Sequence, residues 1–298
     1  MPPLRRGLRE EELLFEKSVA DMTPAELKVH RKAEADADQW HLDHPVDHKN
    51  IVKRFKSATP EEIRQGMNWY KDAHHTMKAL AKDTKVSNHQ MAGLISNYSP
   101  QTYWHTNIIT AARVAREKKA AGGPGGGVMA STVQKTAAQR MLDGEHYNDV
   151  LDGHKTRAFA HLIEHGGDQH QNNPQHPDYK PRVVIDRHAH SAASGARLSD
   201  MAFGRAGLKS KKKYGAVEQA YVDAAAHLSK KHGMQIHPHQ VQAVTWLAQQ
   251  RLNSVVNKKV KSTGVSAVAV KAKEMWNKYA GTHHPKLVGK EPGTGYGG

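Results

Sequence analysis

Residues 151–159 read Leu-Asp-Gly-His-Lys-Thr-Arg-Ala-Phe, a glycine turn that leads into a helix whose first residues are cationic. The helix dipole disfavours positive charge at this end, and the backbone N–H groups exposed there bind phosphate. A bound anion would therefore favour Lys155 and Arg157 at the helix start. The alternative is an ordinary helix start at which both side chains are solvated. Either way, the stretch predicts a helix that begins at a turn.

Helix signals lie on both sides of this turn. Thr23-Pro24-Ala25-Glu26 and Thr59-Pro60-Glu61-Glu62 each combine an N-cap threonine, a proline in the first turn and a glutamate that reaches back to the cap. Apolar residues recur at helical spacing in most of the other segments, whereas Val183-Val184-Ile185 is a short apolar run, either a strand or a buried helix start. The sequence therefore predicts an all-α fold.

The distribution of charge and glycine divides the chain into three parts. Residues 1–55 are highly charged and predict a basic helical arm, and residues 56–285 predict one helical domain. Within that domain, the glycine-rich segment 120–130 and the polar segment 165–181 predict flexible loops. Residues 286–298 predict a disordered basic tail.

The chain is strongly basic, with a formal net charge of +15 over 298 residues. Such a charge attracts polyanions, and with DNA or RNA the attraction comes from counterion release. An anionic membrane is the alternative polyanion, but no apolar run approaches the length of a spanning helix. The chain contains no cysteine, which excludes disulfides and thiolate metal sites. We expect a cytoplasmic protein that binds duplex DNA and no membrane, and the sequence does not predict its oligomeric state.

A second unusual segment, residues 97–107, is a polar and aromatic interruption between two helices. Pro100 disfavours helix in the residue before it, so the chain bends here. The segment predicts contacts to a base from Asn97, Tyr98, Gln101 and Trp104, because aromatic rings and amides hold an extruded base by stacking and edge hydrogen bonds. The alternative is a turn between two helices with aromatic side chains on the surface.

A third segment, residues 183–190, places Asp186 directly after the short apolar run and before Arg187 and His188. A carboxylate in this position is partly buried and a candidate for chemistry. Alternatively, Asp186 is the N-cap of the helix that follows, since aspartate is a preferred N-cap. The two roles are compatible.

The three segments, in this order, resemble the helix-hairpin-helix base-excision DNA glycosylases of the endonuclease III type. Residues 95–102 resemble the family's leucine-serine-alanine-glutamine turn, residues 153–156 the second half of its hairpin, and residues 185–188 its valine-aspartate-threonine-histidine motif. The helix of residues 240–251 resembles the family's closing helix. The resemblance covers roughly residues 60 to 253. In the hairpin, Leu151 stands where the family has its first glycine. The asparagine-x-serine-proline turn and the aspartate-arginine-histidine motif also resemble a branch of phage and bacterial proteins without an assigned activity.

The resemblance implies roles for particular residues. Lys155 would attack the sugar C1′ as a deprotonated amine and form a Schiff base, and Asp186 would stabilise the developing positive charge. The turn residues would hold the extruded base, and residues around the two catalytic positions would contact DNA: Gly153, His154, Thr156, Arg157, Arg187 and His188. The cysteines that hold the family's metal cluster are missing here, as in some of its members, so we expect no cofactor and no metal.

Two other functions fit the sequence. A basic DNA-binding or packaging protein without chemistry fits the charge and the histidine content, and a metal-dependent nuclease would use Asp186 with some of the 22 histidines. Four histidine pairs are adjacent or two residues apart, which is not the i, i+4 spacing that places two imidazoles on one helix face: His74 and His75, His188 and His190, His237 and His239, and His283 and His284. Trp69, Trp246 and Trp276 lie at apolar helical positions and are predicted to be core residues. Trp104 has polar neighbours and is predicted to contact ligand.

Overall fold

The computed structural model describes residues 21–100, 104–118, 131–167, 182–197 and 211–256. Within these ranges the chain forms eleven helices and no strand, which confirms the all-α class. The helices are α1 (Pro24–Asp43), α2 (His48–Lys56), α3 (Pro60–Thr84), α4 (Asn88–Asn97), α5 (Trp104–Glu117), α6 (Thr132–Leu142), α7 (Tyr147–Val150), α8 (His154–His165), α9 (Arg187–Ser194), α10 (Lys211–His232) and α11 (Pro238–Val256).

Helices α1 and α3 begin where the sequence predicts, because their first residues satisfy the backbone groups that a helix start leaves unpaired. In α3, the Glu62 N–H donates to Thr59 Oγ1 at 3.2 Å, and the Thr59 N–H donates to Glu62 Oε2 at 2.7 Å. Thr23 and Glu26 form the same reciprocal pair at the start of α1. Both predicted starts are confirmed.

The buried side chains form two hydrophobic clusters. The first is built mainly from α3 to α8, and the second from α2, α9, α10 and α11 together with Val183 and Ile185. Helix α11 contributes to both clusters, with Ala243 in the first and Val244 in the second. The packing of α11 against α3 therefore joins the two halves of the molecule.

The crossing of α3 and α11 is close because Gly66 has no side chain. A Cβ at this position would lie 2.5 Å from the backbone nitrogen of Val244. Two polar contacts fix the same pair of helices: Gln240 Nε2 donates to the Met67 carbonyl at 3.0 Å, and Arg251 Nε donates to Glu62 Oε1 at 2.7 Å.

The apolar run before Asp186 is an extended segment that α10 holds in place, not a strand. Tyr214 Oη donates to the Val183 carbonyl at 2.7 Å and accepts the Ile185 N–H at 3.1 Å. Tyr221 Oη donates to the Ala189 carbonyl at 3.0 Å. The two tyrosine hydroxyls form hydrogen bonds with buried backbone groups that have no partner strand, and they hold the start of α9 in place.

The boundary between arm and domain differs from the prediction. Ile51, Val52 and Phe55 of α2 are buried in the second cluster, so the core begins within the predicted arm of residues 1–55. Several predicted segments lie outside the described residues: residues 1–20, the predicted loop 120–130, residues 168–181 of the second predicted loop, Trp276 and the tail 286–298. None of the described helices combines the length and apolar character needed to cross a membrane.

Candidate functional site

A pocket lies where α3, α5 and α8 meet α11 and the start of α9. Its cavity volume is about 80 Å³, and the cavity opens to solvent. Its aromatic lining consists of Trp69, Tyr70, Trp104, Phe159 and Trp246, and its polar lining of Ser99, Asn107, Lys155, Asp186 and Gln242. The combination of aromatic faces with a few polar groups suits a planar, polar-edged ligand.

Lys155 and Asp186, both predicted to be catalytic, line this one pocket. Lys155 is the second residue of α8 and is half-buried, and Asp186 is the buried N-cap of α9. Within the described part of the chain, no ion pair joins Lys155 to a carboxylate. The amine of Lys155 is therefore not paired with a carboxylate of the described residues.

The Asp186 carboxylate is held through both of its oxygens. Oδ1 accepts the Ala189 N–H at 2.8 Å, which is the N-cap bond, and Oδ2 accepts the Trp246 Nε1–H at 2.8 Å. The prediction that Asp186 caps a helix is confirmed. The pocket lining therefore includes a carboxylate whose two oxygens are both fixed by hydrogen bonds.

Trp104 lines the pocket as part of a packed aromatic group. Its ring centroid lies 5.2 Å from that of Trp69 and 6.2 Å from that of Phe159, and Trp69 and Phe159 are 5.8 Å apart. Trp104 is only 7 % exposed, so the alternative of a turn with surface aromatics does not hold for it. The three rings form one wall of the pocket.

Asn97 and Tyr98 do not line the pocket, contrary to the prediction that they hold a base. Asn97 Nδ2 donates to the Gln134 carbonyl at 2.7 Å, and the Asn97 carbonyl accepts Gln134 Nε2 at 2.9 Å, so Asn97 joins α4 to α6. Tyr98 is buried, and this burial raises the pKa of its hydroxyl to about 12. Gln101 lies outside the described residues.

The segment that resembles the family's hairpin lies between α7 and α8, which residues 151–153 join. Gly153 is the N-cap of α8, with a φ of −82° that any residue adopts. Thr156 Oγ1 donates to the Gly153 carbonyl at 3.0 Å, and Ser96 Oγ donates to the Thr156 carbonyl at 2.7 Å. The polar groups of this turn therefore hold the start of α8 against α4.

The remaining predicted DNA contacts differ in their exposure. His154, Arg157 and Arg187 are half-buried, and each lies close in sequence to Lys155 or Asp186. His188 is only 2 % exposed, and its burial lowers the pKa of the imidazole. The contact of His188 with DNA stays a prediction, and it would require the buried imidazole to become accessible.

Four further residues line the pocket although the sequence did not predict them there: Tyr70, Phe159, Gln242 and Trp246. Trp246 was predicted to be core, yet it is half-exposed, lines the pocket and binds Asp186. Tyr70 is buried and donates its hydroxyl to Gln242 Oε1 at 2.8 Å, and burial raises the pKa of Tyr70 well above its usual range. The spacing of Gln242 and Trp246, one helical turn apart, was the available signal that one face of α11 carries polar function.

No group of three histidine, aspartate or glutamate side chains that could hold a metal ion occurs in the parts of the chain described above. Burial lowers the pKa of His190 to about 4 and that of His239 to about 3. These imidazoles are therefore neutral near pH 7, and they lie at separate places in the fold.

A family model described as a family of unknown function (DUF7178) matches residues 37–253. The match begins within α1 and ends within α11, so it includes every residue that lines the pocket. Neither the curated proteins nor the solved structures contain a match to the chain.

Proposed function

The chain belongs to the DUF7178 family, and we propose that it is a DNA glycosylase that removes an altered base from duplex DNA. The observation that carries the proposal is the meeting of Lys155 and Asp186 in one aromatic pocket. The two residues lie in different helices and are distant in sequence. Their proximity in space is what a nucleophile and an electrostatic partner acting on one sugar require.

The proposed reaction uses the amine of Lys155 as nucleophile. Lys155 Nζ forms a bond to the sugar C1′, the C1′–N bond to the base breaks, and the base leaves with the electron pair and takes up a proton. The attached nitrogen then loses a proton, the C1′–O4′ bond breaks, and O4′ keeps the electron pair and takes up a proton, which leaves a protonated Schiff base between C1′ and Lys155 Nζ. Positive charge develops on the sugar ring during the displacement, and the fixed carboxylate of Asp186 stabilises it.

The aromatic lining supplies the binding site for the base. A base must leave the stack to be reached, which costs a few kcal/mol and costs least for a damaged pair. Stacking on Trp104 and its neighbouring rings offsets that cost, because base–aromatic stacking contributes about 1–3 kcal/mol per base. Polar edges of the base would meet Asn107 and Gln242, which lie in the same lining.

The test is release of free base from duplexes that each carry one modified base, measured by mass spectrometry in the presence of EDTA. The wild-type chain should release at least one base, since the proposed mechanism uses no metal. Asp186→Asn should lower the single-turnover rate far more than the affinity, because the charge acts mainly in the transition state. Strand cleavage that EDTA abolishes, with no free base, would instead indicate a nuclease.

A basic DNA-binding protein without chemistry is the second candidate, and the net charge of +15 is the observation that favours it. A protein of this kind should bind DNA with an affinity that falls as the salt concentration rises. The logarithm of the binding constant should fall linearly with the logarithm of the salt concentration, with a slope of about 0.9 per phosphate contact in B-DNA. Such binding with no base released from any duplex of the panel would support this candidate and contradict the glycosylase.

A further inference from the structure

Trp246 is connected to Asp186 by a hydrogen bond whose direction is unambiguous. The indole N–H only donates and a carboxylate only accepts, so the 2.8 Å contact between Trp246 Nε1 and Asp186 Oδ2 has one possible polarity. The two residues are 60 positions apart in the chain. The bond therefore joins α11 to the start of α9 across the edge of the pocket.

The same two helices are tied together behind the carboxylate. Tyr221 Oη lies 3.2 Å from Thr245 Oγ1 on α11 and donates to the Ala189 carbonyl on α9. The Ala189 N–H in turn donates to Asp186 Oδ1. The carboxylate is thus held by a backbone group on one side and by the indole on the other, and rotation of the carboxylate would break one of these bonds.

A second tryptophan of the pocket provides an internal comparison. Trp69 also lines the pocket, but no acceptor among the described residues lies within hydrogen-bonding distance of its buried Nε1. Replacing either tryptophan by phenylalanine removes an indole N–H and part of an aromatic face. Only at Trp246 does the change also remove a bond to Asp186.

We propose that Trp246 is a positioning residue, which fixes the Asp186 carboxylate so that its negative charge faces the sugar beside Lys155. This inference rests on the proposed glycosylase function. A charge that stabilises a transition state is effective when it is held in place before the reaction, because no reorganisation is then needed. Trp246 would provide that constraint while its ring remains part of the pocket wall.

The hydrogen bond can be tested without any activity, by NMR of the indole N–H groups of the full chain labelled with ¹⁵N. The chain has five tryptophans, and Trp246→Phe and Trp69→Phe identify the two pocket resonances. In Asp186→Asn the acceptor becomes neutral, so the Trp246 resonance should move upfield while that of Trp69 stays in place. An unchanged Trp246 resonance would overturn the proposal.

The positioning role can be tested by a double-mutant cycle on the single-turnover rate of base release. Trp246→Phe should lower the rate roughly 10-fold to 100-fold, as expected for a misplaced catalytic group. In the Asp186→Asn background the same substitution should have little further effect, because it acts through the missing charge.

Trp69→Phe is the matched control, and it should change the rate by the same factor in both backgrounds. If Trp246→Phe also lowers the rate equally with and without the Asp186 charge, Trp246 acts only as pocket wall and the proposal is wrong. A wild-type chain that releases no base contradicts the proposed function and the catalytic part of this inference, whereas the indole shift decides the hydrogen bond by itself.

Discussion

Asp186 accepts the Ala189 N–H as the N-cap of α9 and the Trp246 indole N–H through its other oxygen. Replacing it by alanine should lower the free energy of unfolding by more than the about 1–2 kcal/mol of a lost cap, because a second, charge-assisted bond is lost as well. Asparagine is an equally good N-cap, so Asp186→Asn should retain most of the stability. Urea unfolding of the two variants measures the difference.

Asp47 is the matched control for this prediction. It is the N-cap of α2, where its side chain accepts the Lys49 N–H at 2.8 Å, and it is half-exposed. Asp47 Oδ1 also lies 3.2 Å from His48 Nδ1, an exposed contact that adds little stability. Asp47→Ala should therefore cost little more than the cap, and less than Asp186→Ala. Equal losses in the two alanine variants would show that the bond from Trp246 contributes nothing to stability.

The contrast between caps and pocket contacts shows what the sequence can predict for single residues. Thr59 and Asp186 were recognised as caps because each acts on backbone within three positions. Trp246 was assigned to the core because its partner is 60 positions away and leaves no local signal. Trp104 has polar neighbours in sequence, whereas in space its neighbours are Trp69 and Phe159.

At the scale of the elements, the crossing of α3 and α11 depends on Gly66. Gly66→Ala should lower the free energy of unfolding by about 1–3 kcal/mol, because the added Cβ meets the backbone of Val244 and the helices must separate. Since both helices line the pocket, the variant should also weaken DNA binding at temperatures where it remains folded. Chemical denaturation and binding titrations test both effects.

Gly215 in α10, unlike Gly66, lies where there is room for a side chain. A Cβ at Gly215 meets no atom within 4 Å. Gly215→Ala should therefore stabilise the chain by about 0.5–1 kcal/mol through helix propensity alone. A stabilising effect of Gly66→Ala, comparable to that of Gly215→Ala, would contradict the close crossing.

Helix positions were predictable from the sequence, and helix pairings were not. The capping residues of α1 and α3 and the apolar spacing along α10 are local patterns that specify where a helix lies. Nothing in the local sequence distinguishes Gly66 from Gly215. In the structure, however, a Cβ at Gly66 would meet the backbone of Val244, whereas a Cβ at Gly215 would meet no atom within 4 Å. The short helix α2 was assigned to the arm because its three buried apolar residues stand among charged ones.

At the scale of the whole molecule, buried histidines make stability depend on pH. Burial lowers the pKa of His190 to about 4 and that of His239 to about 3, while the unfolded value is 6.5. Between these values the unfolded chain binds protons that the folded chain does not. The free energy of unfolding should therefore rise with pH from about 4 to about 6.5, by up to about 1.4 kcal/mol per pH unit for each histidine.

Glu218 opposes this trend within part of the same range. Burial raises the pKa of Glu218 from 4.5 to about 7, so between these values the folded chain holds a proton that the unfolded chain has lost. Its contribution to stability is present at low pH and is lost as pH rises through 7. Glu218→Gln should therefore steepen the rise in melting temperature between pH 4.5 and 6.5. A shallower rise in this variant would contradict the assignment.

The pocket itself is a property of the whole molecule, because helices far apart in sequence, α3, α5, α8 and α11, line it together with the start of α9. Lys155 and Asp186 were identified from the sequence because each stands in an unusual local context at a helix start. Tyr70, Phe159 and Gln242 were not identified, because apolar and amide residues at helical spacing are as common in cores as in sites. The packing of α3 against α8 and α11 brings the three residues to one pocket.

The most direct test of the account is borohydride trapping on duplex DNA that contains an abasic site. The wild-type chain should become covalently attached through the Schiff base, and Lys155→Gln should not, although it should still bind DNA. Lys135→Gln changes an exposed lysine on α6 and should be trapped like the wild type. Trapping of Lys155→Gln at the wild-type level would contradict the claim that Lys155 is the nucleophile.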